Sequence, residues 1–221
     1  MMDLFSLPLQ TKVNKTVPKN AFESYSNANQ KALFTKLISK ITWSNKLSEE
    51  TLNLPGKEIK EIQLFKIELK VNEDPKQLLE IMDKAIPYHI IFIVSFGRGF
   101  FLSTAKKHPH PTNENFSVID WTFKSDWLEP EQMHFNLNLK KSIDSIYLDF
   151  CNQLSGKPKI NQKSFDELIE VNSKTEQLKK EITRLKSAIS NCKQFNQKVE
   201  LNLRLKEVER ELNLHWTIMQ N

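Results

Sequence analysis

Glycine is scarce in this chain. Only 4 of its 221 residues are Gly, which excludes collagen-like repeats, flexible linkers and phosphate loops made of glycine runs. Gly97-Arg98-Gly99 is too short for such a loop and reads as a turn. Cysteine is sparser still. Cys151 and Cys192 lack the CxxC spacing of a zinc or redox motif and are too few for a disulfide framework, so a reducing cytoplasm is the expected compartment. No run approaches the roughly 18 apolar residues of a membrane span; the longest, Ile90 to Val94, is strand-sized. No basic stretch followed by an apolar core suggests a signal peptide, and no membrane partner is expected. Nor does any Ser/His/Asp or Cys/His set have the local context of a nucleophile.

What is present is enough to fold. Hydrophobic residues make up 39% of the chain and charged residues 27%, a balance that supports a packed core rather than disorder. The length suits one globular domain with an appendage. A net charge of +5 is too mild to imply nucleic acid by itself.

Residues 1–157 read as an α/β or α+β body with a mixed sheet. Residues 1–19 form an extended arm. Asn20 and Glu23 predict a capped helix running to about Lys40, on the spacing of Phe22, Tyr25, Leu33, Leu37 and Ile38. Ile41, Trp43 and Leu47 suggest a strand, and Thr51 to Leu54 another. From Glu61 to Val71 apolar and charged residues alternate, predicting a half-buried strand with Lys66, Glu68 and Lys70 on its solvent face. Asp74-Pro75 opens a helix. Tyr88 to Val94 is a central strand that turns at Gly97 into a hairpin partner, Phe100 to Ala105. A loop with His108-Pro-His110-Pro follows, then a strand with Ile119, Trp121 and Phe123. Asn138 is the expected cap of a helix that Gly156 and Pro158 stop.

Residues 158–221 read as a helical hairpin and tail. Ser164-Phe-Asp-Glu167 is a capping box. Leu168, Val171, Thr175, Leu178, Ile182, Leu185, Ile189 and Cys192 then alternate by three and four, the seam of a coiled coil. A second seam, Leu201, Leu205, Val208 and Leu212, is out of phase with the first. Folding back between Asn191 and Asn196 lets the two seams meet, with Asn191 as a left-handed helix stop and Asn196 as the cap of the return. Between Lys179 and Lys206 there are 8 Lys and Arg against 2 Glu, so the distal half is basic. Lys179, Lys180, Arg184, Lys186, Lys193 and Lys198, with Phe195 at the turn, are the candidate contacts to nucleic acid or a partner. The bland alternative is a charged surface that keeps a coiled coil soluble.

One pattern invites a catalytic reading. Glu68-Leu-Lys70 on a strand is similar to the signature of PD-(D/E)XK nucleases, where two carboxylates hold Mg²⁺ and the Lys steadies the attacking water or the transition state. Asn53 stands where the second carboxylate is wanted, and Asn lacks the charge a Mg²⁺ ligand supplies. His108 and His110, with His134 or Asp120, are a weak metal set, so neither a metal nor another cofactor is expected.

The chain resembles an uncharacterised bacterial family known only as a domain of unknown function. The resemblance rests on Ile41-Thr-Trp-Ser-Asn-Lys-Leu-Ser48, Thr51-Leu-Asn53, Glu61-Ile-Gln-Leu-Phe65, Ile67-Glu-Leu-Lys70, Asp83-Lys-Ala-Ile-Pro-Tyr88, Ser125-Asp-Trp-Leu128 and Lys193-Gln-Phe-Asn-Gln-Lys-Val-Glu-Leu-Asn202. It implies a setting beside DNA methyltransferase and helicase-like genes in restriction and phage-defence clusters, by association only. It carries no catalytic residues over. The expectation is a non-catalytic adaptor whose body docks on a protein partner, of helicase or methyltransferase type by that resemblance, and whose arm reaches protein or DNA. A metal-dependent nuclease centred on Glu68 and Lys70 is the rival, and a homo-oligomer through the coiled coil is a third use.

Overall fold

The computed structural model describes residues 4–156 and 164–218. Cα proximity divides the chain into two compact units, Met1–Lys157 and Pro158–Asn221. The first is built on six strands: β1 (Lys12–Thr16), β2 (Ile38–Ser48), β3 (Glu61–Leu69), β4 (His89–Phe96), β5 (Gly99–His110) and β6 (Asn113–Lys124). They lie side by side in chain order. Only β3 and β4 are parallel, because the connection between them is the helix α3 (Lys76–Ala85) and a parallel pair needs such a crossover.

One face of the sheet packs Ile41, Phe65, Ile67, Phe92 and Val94 against Phe34 and Leu37 of α1 (Ala28–Leu37) and Leu78 and Met82 of α3. The other face receives α4 (Ile143–Leu154), whose buried Tyr147 donates to Ala105 O (2.7 Å) and lies edge-on to His89. Being covered on both sides, β3 is buried at every position from Glu61 to Phe65. The expected alternation holds only from Phe65 to Leu69, where Lys66 and Glu68 are half-buried between buried Phe65, Ile67 and Leu69, and the strand ends at Leu69, leaving Val71 exposed.

Several local expectations are corrected. Residues 19–25 form a 3-10 turn rather than an α-helix. The helix that follows is capped by Asn27, whose Oδ1 accepts from the Gln30 N–H while Gln30 Oε1 accepts from the Asn27 N–H, and it gives way at Ile38 to strand. The arm is not all extended: a 3-10 turn at Leu9–Thr11 leads into the edge strand β1. β1 is interrupted between Lys12 and Lys15, where Asn14 takes φ +52°. Thr51 to Leu54 is not a strand. Glu49–Leu52 is a single helical turn, α2, closed by Ser48 and Thr51 and stopped by Asn53 in the left-handed region. Asp74 does not cap α3; Pro75 does, while Asp74 pairs with Lys124. The His108 to His110 segment is strand, not loop. Ser142 rather than Asn138 caps α4. Gly156 at φ +66° follows it in the left-handed conformation that ends helices, and Pro158 lies outside the described residues.

Asp144, in the first turn of α4, organises the segment before β3. Its carboxylate accepts from the backbone N–H groups of Lys57, Glu58 and Ile59 at 2.7 to 2.9 Å. Burial alone would raise its pKa, but the three donors outweigh that and hold it below the usual value. Asp144→Ala is expected to cost about 2 kcal/mol, since it orphans donors that bonded an ionised group. Urea unfolding of wild type and variant measures this; a difference below about 0.5 kcal/mol would show that water replaces the carboxylate. The contribution is present above the unfolded Asp value and lost as pH falls through the depressed folded value.

The second unit is the helical hairpin. α5 (Phe165–Asn191) and α6 (Phe195–Ile218) pack together, joined at Cys192–Gln194. Ser164 Oγ accepts from the Glu167 N–H, which is the Ser half of the expected capping box. Leu178, Leu185 and Val208 form the core, lined by Ile182, Leu201, Leu205 and Leu212, so the two seams do face each other. The turn differs in detail. No left-handed residue is used: Cys192 leaves α5 in extended conformation, not Asn191 in the left-handed one. α6 starts at Phe195, with Gln194 O accepting from the Lys198 N–H, so Asn196 is already inside the helix.

Candidate functional site

Glu68 sits near the end of β3 on the sheet face that α4 also uses. With Lys66, Ser95, Arg98 and Phe100 it lines a cavity of about 170 Å³. Its cross-strand neighbours are Lys40 on β2 and Ser95 on β4, neither a carboxylate. Lys70 does not join it. It lies past the strand end, and its Nζ donates to Thr35 O of α1 at 2.7 Å, on the opposite side of the sheet. Asn53 is also remote. Ser48, at the end of β2, pairs with Glu61, and seven residues of strand, roughly 23 Å, separate Glu61 from Glu68. The three residues that suggest a nuclease signature are thus dispersed. Arg98 is tied to Glu131 at 3.3 Å.

The histidines are dispersed as well. His108 Nδ1 is 2.8 Å from Asp120 Oδ1 across β5 and β6. His110 bonds Thr112, and His134 Nδ1 lies 2.9 Å from Gln132 O. Among the described residues, no group of three or more His, Cys, Asp or Glu is placed to hold a metal ion. Both cysteines are free thiols.

On the hairpin the candidate contacts divide into two sets. Lys180 pairs with Glu176, Arg184 with Glu181 and Lys186 with Glu209, at 2.8 to 3.3 Å. Such exposed pairs contribute little to stability but partly neutralise the basic field. Glu181 is correspondingly held below the usual carboxylate range, chiefly by its bond from Arg184. Lys193 and Lys198 make no ion pair among the described residues. Phe195, between them at the first position of α6, is 78% exposed. It does not close the seam.

Sequence reading missed two features. Val199 and Leu203 of α6, and Leu214 further on, are also exposed. Their signal was their spacing, at successive intervals of four, four and eleven residues from Phe195. The other is a buried pair in the body, Lys107 and Asp83, 3.3 Å apart. Alternation along β5 gave no hint that Lys107 would be enclosed.

No helix among the described residues is long and apolar enough to cross a membrane. No curated protein and no solved structure matches the chain. The model of the family described as "Domain of unknown function (DUF4391)" matches residues 5–212, and the chain belongs to that family.

Proposed function

We propose that the protein is a non-catalytic adaptor acting in the cytoplasm, in a restriction-type defence setting, with the hairpin arm as the part that binds a partner protein or DNA. One observation carries this reading: Phe195 stands exposed at the tip beside Lys193 and Lys198, two cations without ion pairs among the described residues. A folded chain gains nothing in stability by holding an aromatic ring in water, whereas a ring flanked by unpaired cations suits stacking on a base or insertion into a partner's pocket.

DNA and RNA titrations at two salt concentrations test the nucleic-acid arm of the reading. They are run beside co-purification from the native host, on wild type and on Lys193→Glu/Lys198→Glu. Charge-driven binding should weaken steeply with salt, and the reversed tip should bind at least about tenfold more weakly. Unchanged nucleic-acid affinity in the variant removes that role from the tip. Loss of neither nucleic acid nor a co-purifying protein sinks the adaptor reading.

The rival, a metal-dependent nuclease of PD-(D/E)XK type, draws its support from Glu68 and Lys66 lining one cavity. With Lys70 turned to α1 and no carboxylate paired across from Glu68, DNA incubated with the protein in Mg²⁺ or Mn²⁺ should stay intact. Metal-dependent cleavage that Glu68→Ala abolishes would promote the rival.

A further inference from the structure

α6 carries apolar side chains on two sides. Advancing about 100° per residue, Leu201, Leu205, Val208 and Leu212 share one arc, the seam packed on α5. Phe195, Val199, Leu203 and Leu214 share another, roughly opposite, and are 78%, 43%, 58% and 51% exposed. A helix with one partner needs one apolar stripe. The second stripe spans about 29 Å from Phe195 to Leu214.

Charge identifies what would cover it. Lys206 and Arg210 fall within the same arc as the stripe, and neither makes an ion pair among the described residues. The acidic residues of α6 lie outside that arc. Three of them are engaged: Glu207 with Arg204, Glu209 with Lys186 and Glu211 with Lys174. A second copy of the chain across a two-fold axis would set the stripe against itself. Lys206, near its middle, would then lie close to the same cation of the other copy.

We infer that this outward stripe of α6 is the docking surface for an acidic amphipathic helix of another protein. Apolar residues of that helix would cover Val199 and Leu203, and its carboxylates would meet Lys206 and Arg210. The inference rests on the adaptor reading and gives the chemistry of its protein partner.

The full chain is titrated with two fluorescein-labelled synthetic helices about three heptads long. Both have Leu at a and d on an Ala background; one has Glu flanking the seam and the other Lys. The Glu peptide should bind at least about tenfold tighter than the Lys peptide, and Val199→Ser/Leu203→Ser should weaken it by at least about tenfold with unchanged helical circular dichroism. Lys206→Glu/Arg210→Glu should invert the preference between peptides. A Glu-peptide affinity indifferent to the Ser pair, or a preference that does not invert, overturns the inference. So does self-association that the Ser pair abolishes, which would assign the stripe to a second copy. A single-stranded DNA oligonucleotide that displaces the peptide from wild type, and that the Ser pair no longer binds, would assign it to nucleic acid and likewise overturn it. Lys193→Glu/Lys198→Glu leaves Val199 and Leu203 in place. Failure of the stripe with tip-dependent binding intact therefore sinks this inference alone, and the reverse sinks the tip reading alone.

Discussion

Lys107→Met is expected to cost about 3 to 5 kcal/mol. Lys107 is 2% exposed. Its Nζ donates to Asp83 O (2.6 Å) and Ile86 O (2.7 Å) and lies 3.3 Å from Asp83 Oδ1. Both carbonyls belong to the end of α3, where backbone acceptors lack intrahelical donors and the helix dipole favours a cation. Burial drives Asp83 up to about 6 against the pull of Lys107, and it drives Lys107 down against the pull of Asp83. Desolvation therefore outweighs attraction at both partners. The pair holds because each would be costlier alone. Met fills the space of the Lys stem but leaves two acceptors and a carboxylate buried without a donor. Urea unfolding measures the loss, and Lys107→Met/Asp83→Leu should recover part of it by removing the stranded carboxylate. A single variant within about 1 kcal/mol of wild type would show that water reaches this site.

His89→Phe should reshape the acid response. His89 is buried at the start of β4 against Tyr147, and its Nε2 has no hydrogen-bond partner. Burial first, then the charges of Lys107 and Lys106, lower its pKa to about 3, against weaker help from Asp144 and the Lys107 backbone. Between pH 3 and the unfolded value near 6.5 the unfolded chain binds a proton that the native chain refuses, so stability is lost as pH falls. Across the whole window the loss is about 4 kcal/mol. Asp83 acts in the opposite sense. Its raised value lets the native state hold a proton that the unfolded state releases, so stability is gained as pH falls from about 6 toward the unfolded 3.8. Wild type should therefore soften on acidification, and His89→Phe, freed of the larger effect, should hold or gain stability between pH 6 and 4. Parallel curves for the two proteins would mean that His89 is protonated in the folded state.

Long periodic segments were legible in the sequence. The α5 and α6 seams, the apolar run of β4 and the cap at Ser164 follow from spacing alone. Short ones were not, because neighbouring signals compete. Asn20–Glu23 and Asn27–Gln30 both have the form of a capping box, and the second takes the helix while residues 19–25 coil as a 3-10 segment. Ser48 and Thr51 close a turn whose Leu52 and Leu54 mimic strand alternation. The full length of β5 was hidden by Pro109 within it and Pro111 just past its end. Its ladder with β4 ends at Thr104, so Pro109 lies where the strand has a neighbour on one side only and a missing N–H is tolerated. As for the sites, Glu68 and Lys70 were placed together by counting two residues along an ideal strand, which fails because the strand stops between them. Asn196, Val199, Leu203, Lys206, Arg210 and Asn213 are the positions a continued first seam would occupy. Read as a broken seam they only signal the turn; with α6 folded back, Val199 and Leu203 of the outward stripe lie among them, with the cations Lys206 and Arg210 of the same arc.

The interrupted edge strand β1 has a bearing on how the molecule keeps to itself. A sheet that ends in a long, flat strand offers unpaired backbone groups to any other chain and seeds aggregation. Here that edge is held by five residues, carries Lys12 and Lys15, and is broken between them by the left-handed Asn14. It is a poor template for a further strand. Behind it lies β2, eleven residues long and buried at Ile38, Ile41 and Leu47. β1 is in effect a lid on a sticky edge, and shortening the chain before Val17 would trade a guarded border for an open one.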